Sequence, residues 1–250
     1  MINKLALIGV GLIGGSLARA LRDADMVVLA TPVGSMAEIL DAIAPYLAKD
    51  AVVTDVGSVK SAIVAAARAA LGEKLNGFVP GHPIAGTERT GVEASFSSLF
   101  VGRRVVLTPL PETSAEAMAR VRAMWQAAGA EVVSMSVEHH DTVLAATSHL
   151  PHLLAYALVD MLAHLEDSRE IFAYAAGGFR DFTRIASSDP VMWRDISLAN
   201  RDAIVNMLKK YRIELDGLIA AVAAGDGAKL QILFAHAKAA RDALVTNGQK

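Results

Sequence analysis

The sequence predicts an α/β fold, a Rossmann-like parallel sheet followed by an all-helical region. Three observations predict it. A glycine loop, Gly9-Val10-Gly11-Leu12-Ile13-Gly14, follows an apolar strand pattern and opens a helical one. Strand-like and helix-like segments alternate as far as Ser134. After Ser136 only helical patterns follow. We therefore expect a dinucleotide-binding domain over 1–135 and a helical substrate and dimerisation domain over 136–250.

The elements follow in order. Lys4 to Val10 reads as a short buried strand, and Ile13 to about Leu21 as a helix. Asp25 to Ala30 is a second strand, stopped by Thr31-Pro32. Ser35 to Leu47 is amphipathic and helical. Ala51 to Asp55 is a third strand, and Ser61 to Leu71 an alanine-rich helix. Gly77 to Val79 is a fourth strand. Arg104 to Thr108 and Glu131 to Ser134 read as two more, with the helix Ser114 to Ala128 between them. Helices are then expected over Glu138–His164, Arg169–Ala175, Val191–Ala224 and from Asp226 onward.

Bulk composition narrows the function. The chain has 250 residues, a length for one or two domains, and 53% are apolar, enough for a sizeable core. A formal net charge of −2 gives no electrostatic case for nucleic acid or an anionic membrane. There is no cysteine, which excludes disulfides, thiolate catalysis and Cys-based zinc sites and fits a cytoplasmic protein. The apolar start of the chain is broken by Gly9, Gly11, Gly14 and Gly15, which argues against a signal helix. No uninterrupted apolar run reaches the ~18–20 residues of a membrane span.

Each glycine of the loop has a physical job. Gly9 permits the tight turn, Gly11 lets the backbone approach a pyrophosphate, and Gly14 lets the helix sit against the strand. The N–H groups at Leu12 and Ile13 then face the phosphates at a helix N-terminus. Thr31-Pro32 ends the second strand beside the expected nicotinamide position. Asp55 and Gly57, at the end of the third strand, are also assigned to the cofactor. One part is lacking: the usual unit continues to a strand whose acidic end, about 20 residues on, binds the adenosine ribose. Here Leu21-Arg22-Asp23-Ala24-Asp25 runs straight into another strand. Neither aspartate ends a strand, so neither is assigned to the ribose. We expect ~30–40 residues of an ordinary βαβ increment to be lacking between Ala20 and Asp25. A break there would show as a Cα–Cα step well beyond ~3.8 Å. NAD and NADP both remain open as cofactors.

Three further clusters carry chemistry. They are Asp55-Val56-Gly57-Ser58-Val59-Lys60; Gly81-His82-Pro83-Ile84-Ala85-Gly86-Thr87-Glu88; and, in the helical half, Ser148-His149-Leu150-Pro151-His152 with Gly177-Gly178-Phe179-Arg180-Asp181-Phe182-Thr183-Arg184 and Asp189-Pro190-Val191-Met192-Trp193-Arg194-Asp195. An imidazole such as His82, at a strand's carboxyl end, can take a proton near neutral pH. A guanidinium such as Arg184 grips a carboxylate through paired N–H bonds. His139, His140, His149 and His152 invite a metal reading, but no carboxylate stands at metalloprotease spacing, and no metal is expected.

In this order the segments resemble the prephenate/arogenate dehydrogenase family of tyrosine biosynthesis, over nearly the whole chain apart from the stretch after Leu21. The resemblance implies a nucleotide-binding domain joined to a helical dimerisation domain, with the active site between them. It implies oxidative decarboxylation of prephenate or arogenate. His82 would take the ring hydroxyl's proton while hydride leaves the same carbon. Ser58 would hydrogen-bond His82, its ordinary role being a helix N-cap. Arg184 would clamp a substrate carboxylate, with Glu88 as its gate. His152 would lie by the substrate with His149 in support. Thr87, Gly178, Asp181 and Trp193 would complete the pocket, although core packing is the simpler role for a tryptophan. A homodimer through the helical half is implied. Two other readings compete. One is a two-domain dehydrogenase of 3-hydroxyacids or imines, disfavoured because the lysines of the helical half lie away from the motifs. The other is a helical dimer that has lost cofactor affinity.

Overall fold

The computed structural model describes residues 4–9, 24–86, 93 and 95–248. The chain forms two compact units, 1–204 and 205–250.

Among the described residues the first unit holds seven strands. β1 (Leu5–Gly9), β2 (Met26–Ala30), β3 (Val52–Asp55) and β4 (Phe78–Val79) pair in that order, all parallel. β5 (Gly81–Pro83), β6 (Arg104–Leu107) and β7 (Glu131–Ser134) make a second ladder. β6 and β7 are parallel, as expected, but β5 runs antiparallel to β6. That short strand has no counterpart in the sequence-based assignment. Pro80 sits at the changeover between ladders. It has no N–H to give to either, and its carbonyl accepts from Thr108 N.

β2 is apolar at every position because both faces are covered. Val27 and Leu29 pack with Ile39, Leu40 and Ile43 of α1 (Met36–Ile43) and with Ile63, Val64 and Ala67 of α2 (Ser61–Leu71). Met26 and Val28 turn the other way, toward Val121 and Trp125 of α3 (Ala115–Ala127). Each such side chain stabilises the fold by roughly 1.5–3 kcal/mol on burial. β1 differs. Ala6 packs into the core, but Leu5 and Leu7 are 53% and 69% exposed. Among the described residues β1 pairs only with β2.

The helical region begins with α4 (Val137–Leu144), capped by Ser136 Oγ on His139 N. A π-helical turn over Ala145–His149 leads into α5 (Leu150–Ala163). Pro151 has no N–H to donate back along the helix, and the wider turn just before it accommodates that gap. The run Val137–Ala163 is 27 residues long and, by length and composition, apolar enough to cross a bilayer, although polar residues interrupt it. Three of its polar residues, His140, Asp141 and His149, are however buried inside this unit. α6 (Ser168–Ala173), α7 (Gly177–Thr183) and α8 (Pro190–Ala199) follow. The helix expected over Val191–Ala224 is interrupted at Asn200, from which α9 (Arg201–Ala223) begins afresh.

The second unit holds the rest of α9 and α10 (Gly227–Gly248). Gly225, at φ 63°, closes α9 in the left-handed conformation that glycine adopts without strain.

Candidate active site

His82 lies in the middle of β5, 9% exposed, and the residue before it is clamped by a buried ion pair. Asp55 and Lys60 are both fully buried and bonded to each other. Asp55 also accepts from Gly57 N at 2.8 Å and Gly81 N at 3.1 Å. Lys60 Nζ donates to Gly81 O at 2.6 Å. The end of β3, the turn into α2 and the start of β5 are thereby tied together at Gly81. No room is left at the turn. A Cβ on Gly57 would come within 2.4 Å of Ile63, and one on Gly81 within 3.0 Å of the Asp55 carbonyl.

The His82 ring meets α4. Its Nδ1 lies 2.9 Å from His140 Nε2, and His140 Nδ1 lies 2.8 Å from Asp141 Oδ1. The two rings meet edge to face. Asp141 caps α2 from a distance: its carboxylate accepts Lys60 N and Ser61 N, each at 2.8 Å. Its backbone carbonyl accepts from Asn200 Nδ2 at 2.9 Å. Burial alone would raise the Asp141 carboxyl, but the bonds from His140, Ser61 and Lys60 outweigh it and hold it down at about 2. Burial, then Lys60, His140 and His149, push His82 well below the ordinary imidazole range, with Asp141 opposing. His82 is therefore neutral at pH 7 and able to accept a proton.

Behind His82 stands an aromatic and imidazole cluster. His149 is buried, its Nδ1 3.1 Å from Asn200 Nδ2. Because that nitrogen accepts, Nε2 carries the proton, and Nε2 has no hydrogen-bond partner among the described residues. A buried donor in this state is a ready contact for a ligand oxygen. His152 donates from Nδ1 to Ser148 O at 2.8 Å and stacks on Trp193 at 3.8 Å between centroids. Trp193 is itself core, packed with Val59 and Ile196. Arg184 is exposed at the C-terminal end of α7 and near enough to His152 to lower its pKa, behind the larger effect of burial.

His149 makes a pH prediction. Burial is the main cause that lowers it to about 4, helped by His140 and His152 and opposed by Asp141. A folded-state pKa below the unfolded value of 6.5 means that the stability it supports is complete above pH 6.5 and is lost as pH falls toward 4. The full loss is on the order of 3 kcal/mol. Urea unfolding at pH 7 and pH 4.5 should show a steeper decline for the wild type than for His149→Gln. Equal declines would contradict it.

Several sequence expectations need correction. The Asp55 carboxylate, assigned to the cofactor, is engaged inside the protein by Gly57, Lys60 and Gly81. No Ser58–His82 hydrogen bond occurs among the described contacts, where His82 Nδ1 faces His140 Nε2. Nor does Ser58 cap α2, whose free N–H groups are taken by Asp141. Gly178 and Asp181 lie exposed on α7, with no hydrogen bond or ring contact to His82, His149 or His152. Thr31 is buried, with Met36 Sδ as its hydroxyl's contact, and Pro32 precedes a 3-10 turn. Gly9 ends β1. Gly11, Leu12, Ile13, Gly14, Thr87 and Glu88, and the expected break after Ala20, lie outside the described residues. Four residues that sequence reasoning gave no role here, Lys60, His140, Asp141 and Asn200, make up the frame of the site. Among the described residues no group of three His, Asp or Glu has a metal-binding arrangement.

A dinucleotide is partly accommodated. The carboxyl ends of four parallel strands lie on one edge, the place where open α/β sheets bind ligands. The ribose side is different. Only residues 10–25 separate β1 from β2, and the two strands are neighbours. An extra strand with its own crossover needs roughly 30 residues. Residues 10–25 are too few to add such a strand to the link between β1 and β2.

Comparison with known proteins agrees with this layout. Residues 4–134 match the prephenate dehydrogenase nucleotide-binding domain, and residues 136–236 the prephenate dehydrogenase dimerization domain. The chain is 42% identical over 230 residues to a cyclohexadienyl dehydrogenase of Zymomonas mobilis, covering 91% of this chain and 78% of that protein. It is 37% identical to a prephenate dehydrogenase of Bacillus subtilis, covering 92% of this chain and 62% of the relative. Among solved structures, prephenate dehydrogenase from Aquifex aeolicus in complex with hydroxyphenyl propionate and NAD+ is similar with a TM-score of 0.86 at 35% identity, covering 96% of this chain and 98% of that one. Synechocystis arogenate dehydrogenase is similar with a TM-score of 0.78 at 29% identity, covering 96% and 99%.

Proposed function

Because the chain belongs to the prephenate dehydrogenase family, we propose that it oxidatively decarboxylates prephenate, arogenate or both with a nicotinamide dinucleotide. The observation that carries this reading is the neutral, buried His82 ring, fixed on β5 by the Lys60–Asp55 pair. His82 accepts the proton of the ring hydroxyl as the C–H bond on the same carbon gives up its hydride. A bound nicotinamide supplies the acceptor for that hydride. Loss of carbon dioxide aromatises the ring, and His82 returns its proton to the resulting phenolate. The His149 Nε2–H offers a hydrogen bond to a substrate oxygen. Arg184, near His152, supplies the charge for a carboxylate.

The domain division at residue 135 is part of the proposal, with substrate meeting both parts at the His82–His140 contact. NAD is the preferred cofactor, in line with the Aquifex complex. With residues 10–25 too few to add a ribose-reading strand, discrimination should be weak, with NAD and NADP within about tenfold of each other in kcat/KM. Following reduced-nicotinamide absorbance with prephenate or arogenate and each cofactor tests both claims. No turnover with either substrate would overturn the first, and a hundredfold cofactor preference the second.

We also propose a cytoplasmic homodimer. Met161, Leu165 and Phe182 stand exposed on the helical region. A second copy, rather than lipid, would cover this surface, following the dimerization-domain match. Light scattering at micromolar concentration should give twice the mass of one chain; a monomer would contradict it.

A further inference from the structure

We propose that His140 and Asp141 are positioning residues that set the tautomer of His82, so that its Nε2 presents a lone pair to the substrate hydroxyl. The proposal rests on His82 being the base. It follows from the order of donors and acceptors along one buried chain. Asp141 is anchored by Lys60 N and Ser61 N and is ionised, so its oxygens only accept. The nitrogen facing it, His140 Nδ1, must therefore be the donor. With its one ring proton on Nδ1, His140 has an unprotonated Nε2, and that atom faces His82 Nδ1 at 2.9 Å. His82 Nδ1 must donate to it, which leaves His82 Nε2 as the basic nitrogen. His140 is 0% exposed, so no water competes for either of its nitrogens.

The chain also prepares the charged state. When His82 Nε2 takes a proton, the positive charge lies one imidazole away from the Asp141 carboxylate. Lys60, His140 and His149 oppose that charge, and Asp141 is the group that favours it. Asp141 does not end the chain as a proton acceptor, because its carboxyl is held near 2. Its work is to orient His140 and to stabilise the cation, and the proton stays on His82.

Long-range proton–nitrogen correlation spectra of the full chain with 15N-labelled histidine test the assignment without cofactor or turnover. The wild type should show His82 protonated on Nδ1 at pH 7. His140→Phe removes the acceptor and should move His82 toward the Nε2–H form. Prephenate kcat should fall roughly 10²-fold or more, with KM changed by less than about threefold. His140→Gln keeps an acceptor oxygen near His82 and should recover at least about tenfold over His140→Phe. An Nε2–H tautomer in the wild type would overturn the proposal, as would a kcat for His140→Phe within about threefold of wild type. The wild-type spectrum decides even if His140→Phe fails to fold. If His82→Asn proves fully active, the base assignment falls, while the spectra still show whether His140 sets the ring.

Discussion

His82→Asn should lower kcat for prephenate by roughly 10²–10⁴-fold while leaving the fold intact. The choice of asparagine matters. Its side-chain amide can stand near the position of Nδ1 and still donate to His140 Nε2, so the buried chain of His140 and Asp141 keeps its polar partners. What the variant lacks is the second ring nitrogen, the one that would receive the hydroxyl proton. KM should change little if His82 touches the substrate through that nitrogen alone, because the lost interaction belongs to the transition state. The pH profile adds a check. Burial beside Lys60, His140 and His149, against Asp141, holds His82 below the ordinary imidazole pKa. The base stays competent as pH falls until it protonates, so the acid limb of wild-type kcat/KM should lie below 6.5 and should vanish in the residual activity of His82→Asn. Wild-type rates from His82→Asn would remove the histidine from the mechanism.

The fold was legible because its signals are local. β2 and β3 are short apolar runs closed by Thr31-Pro32 and Gly57, and those residues stop the strands where expected. β5 was not legible. A three-residue strand that follows Pro80 and ends in Pro83 offers no alternation to read, and its pairing with β6 depends on a distant segment. His82 could be singled out from its own motif, but its supports could not. Lys60 has no role legible in its cluster, because lysine is rarely buried without a partner in view, and Asp55 is its partner only after the turn folds. Asp55, at a strand end, looks like a cofactor ligand for the same reason. His140 and Asp141 sit side by side near the start of a helix. Only the approach of β5 and α2 shows that this face is buried. Asn200 reads as mid-helix and in fact ends α8, its amide reaching Asp141 O and His149.

The largest expected effect on stability belongs to Lys60. Lys60→Met should destabilise the protein by about 3–5 kcal/mol, because it leaves the Asp55 carboxylate charged and buried. Asp55 would retain its bonds from Gly57 N and Gly81 N, but two neutral donors do not replace an ammonium. Methionine matches the lysine stem in length, so little of the cost comes from a cavity. The double variant Asp55→Asn/Lys60→Met removes the stranded charge and should be more stable than Lys60→Met alone, a non-additivity that a double-mutant cycle in urea measures directly. Activity should separate from stability in the same pair. Both variants lose the Lys60 Nζ bond to Gly81 O, the carbonyl directly before His82. The double variant, though better folded, should therefore remain slow, because a base displaced by about 1 Å can cost on the order of 10²-fold. A Lys60→Met chain as stable as wild type would mean that the pair adds nothing to the fold. Full activity in the double variant would mean that the position of His82 does not depend on the clamp at Gly81.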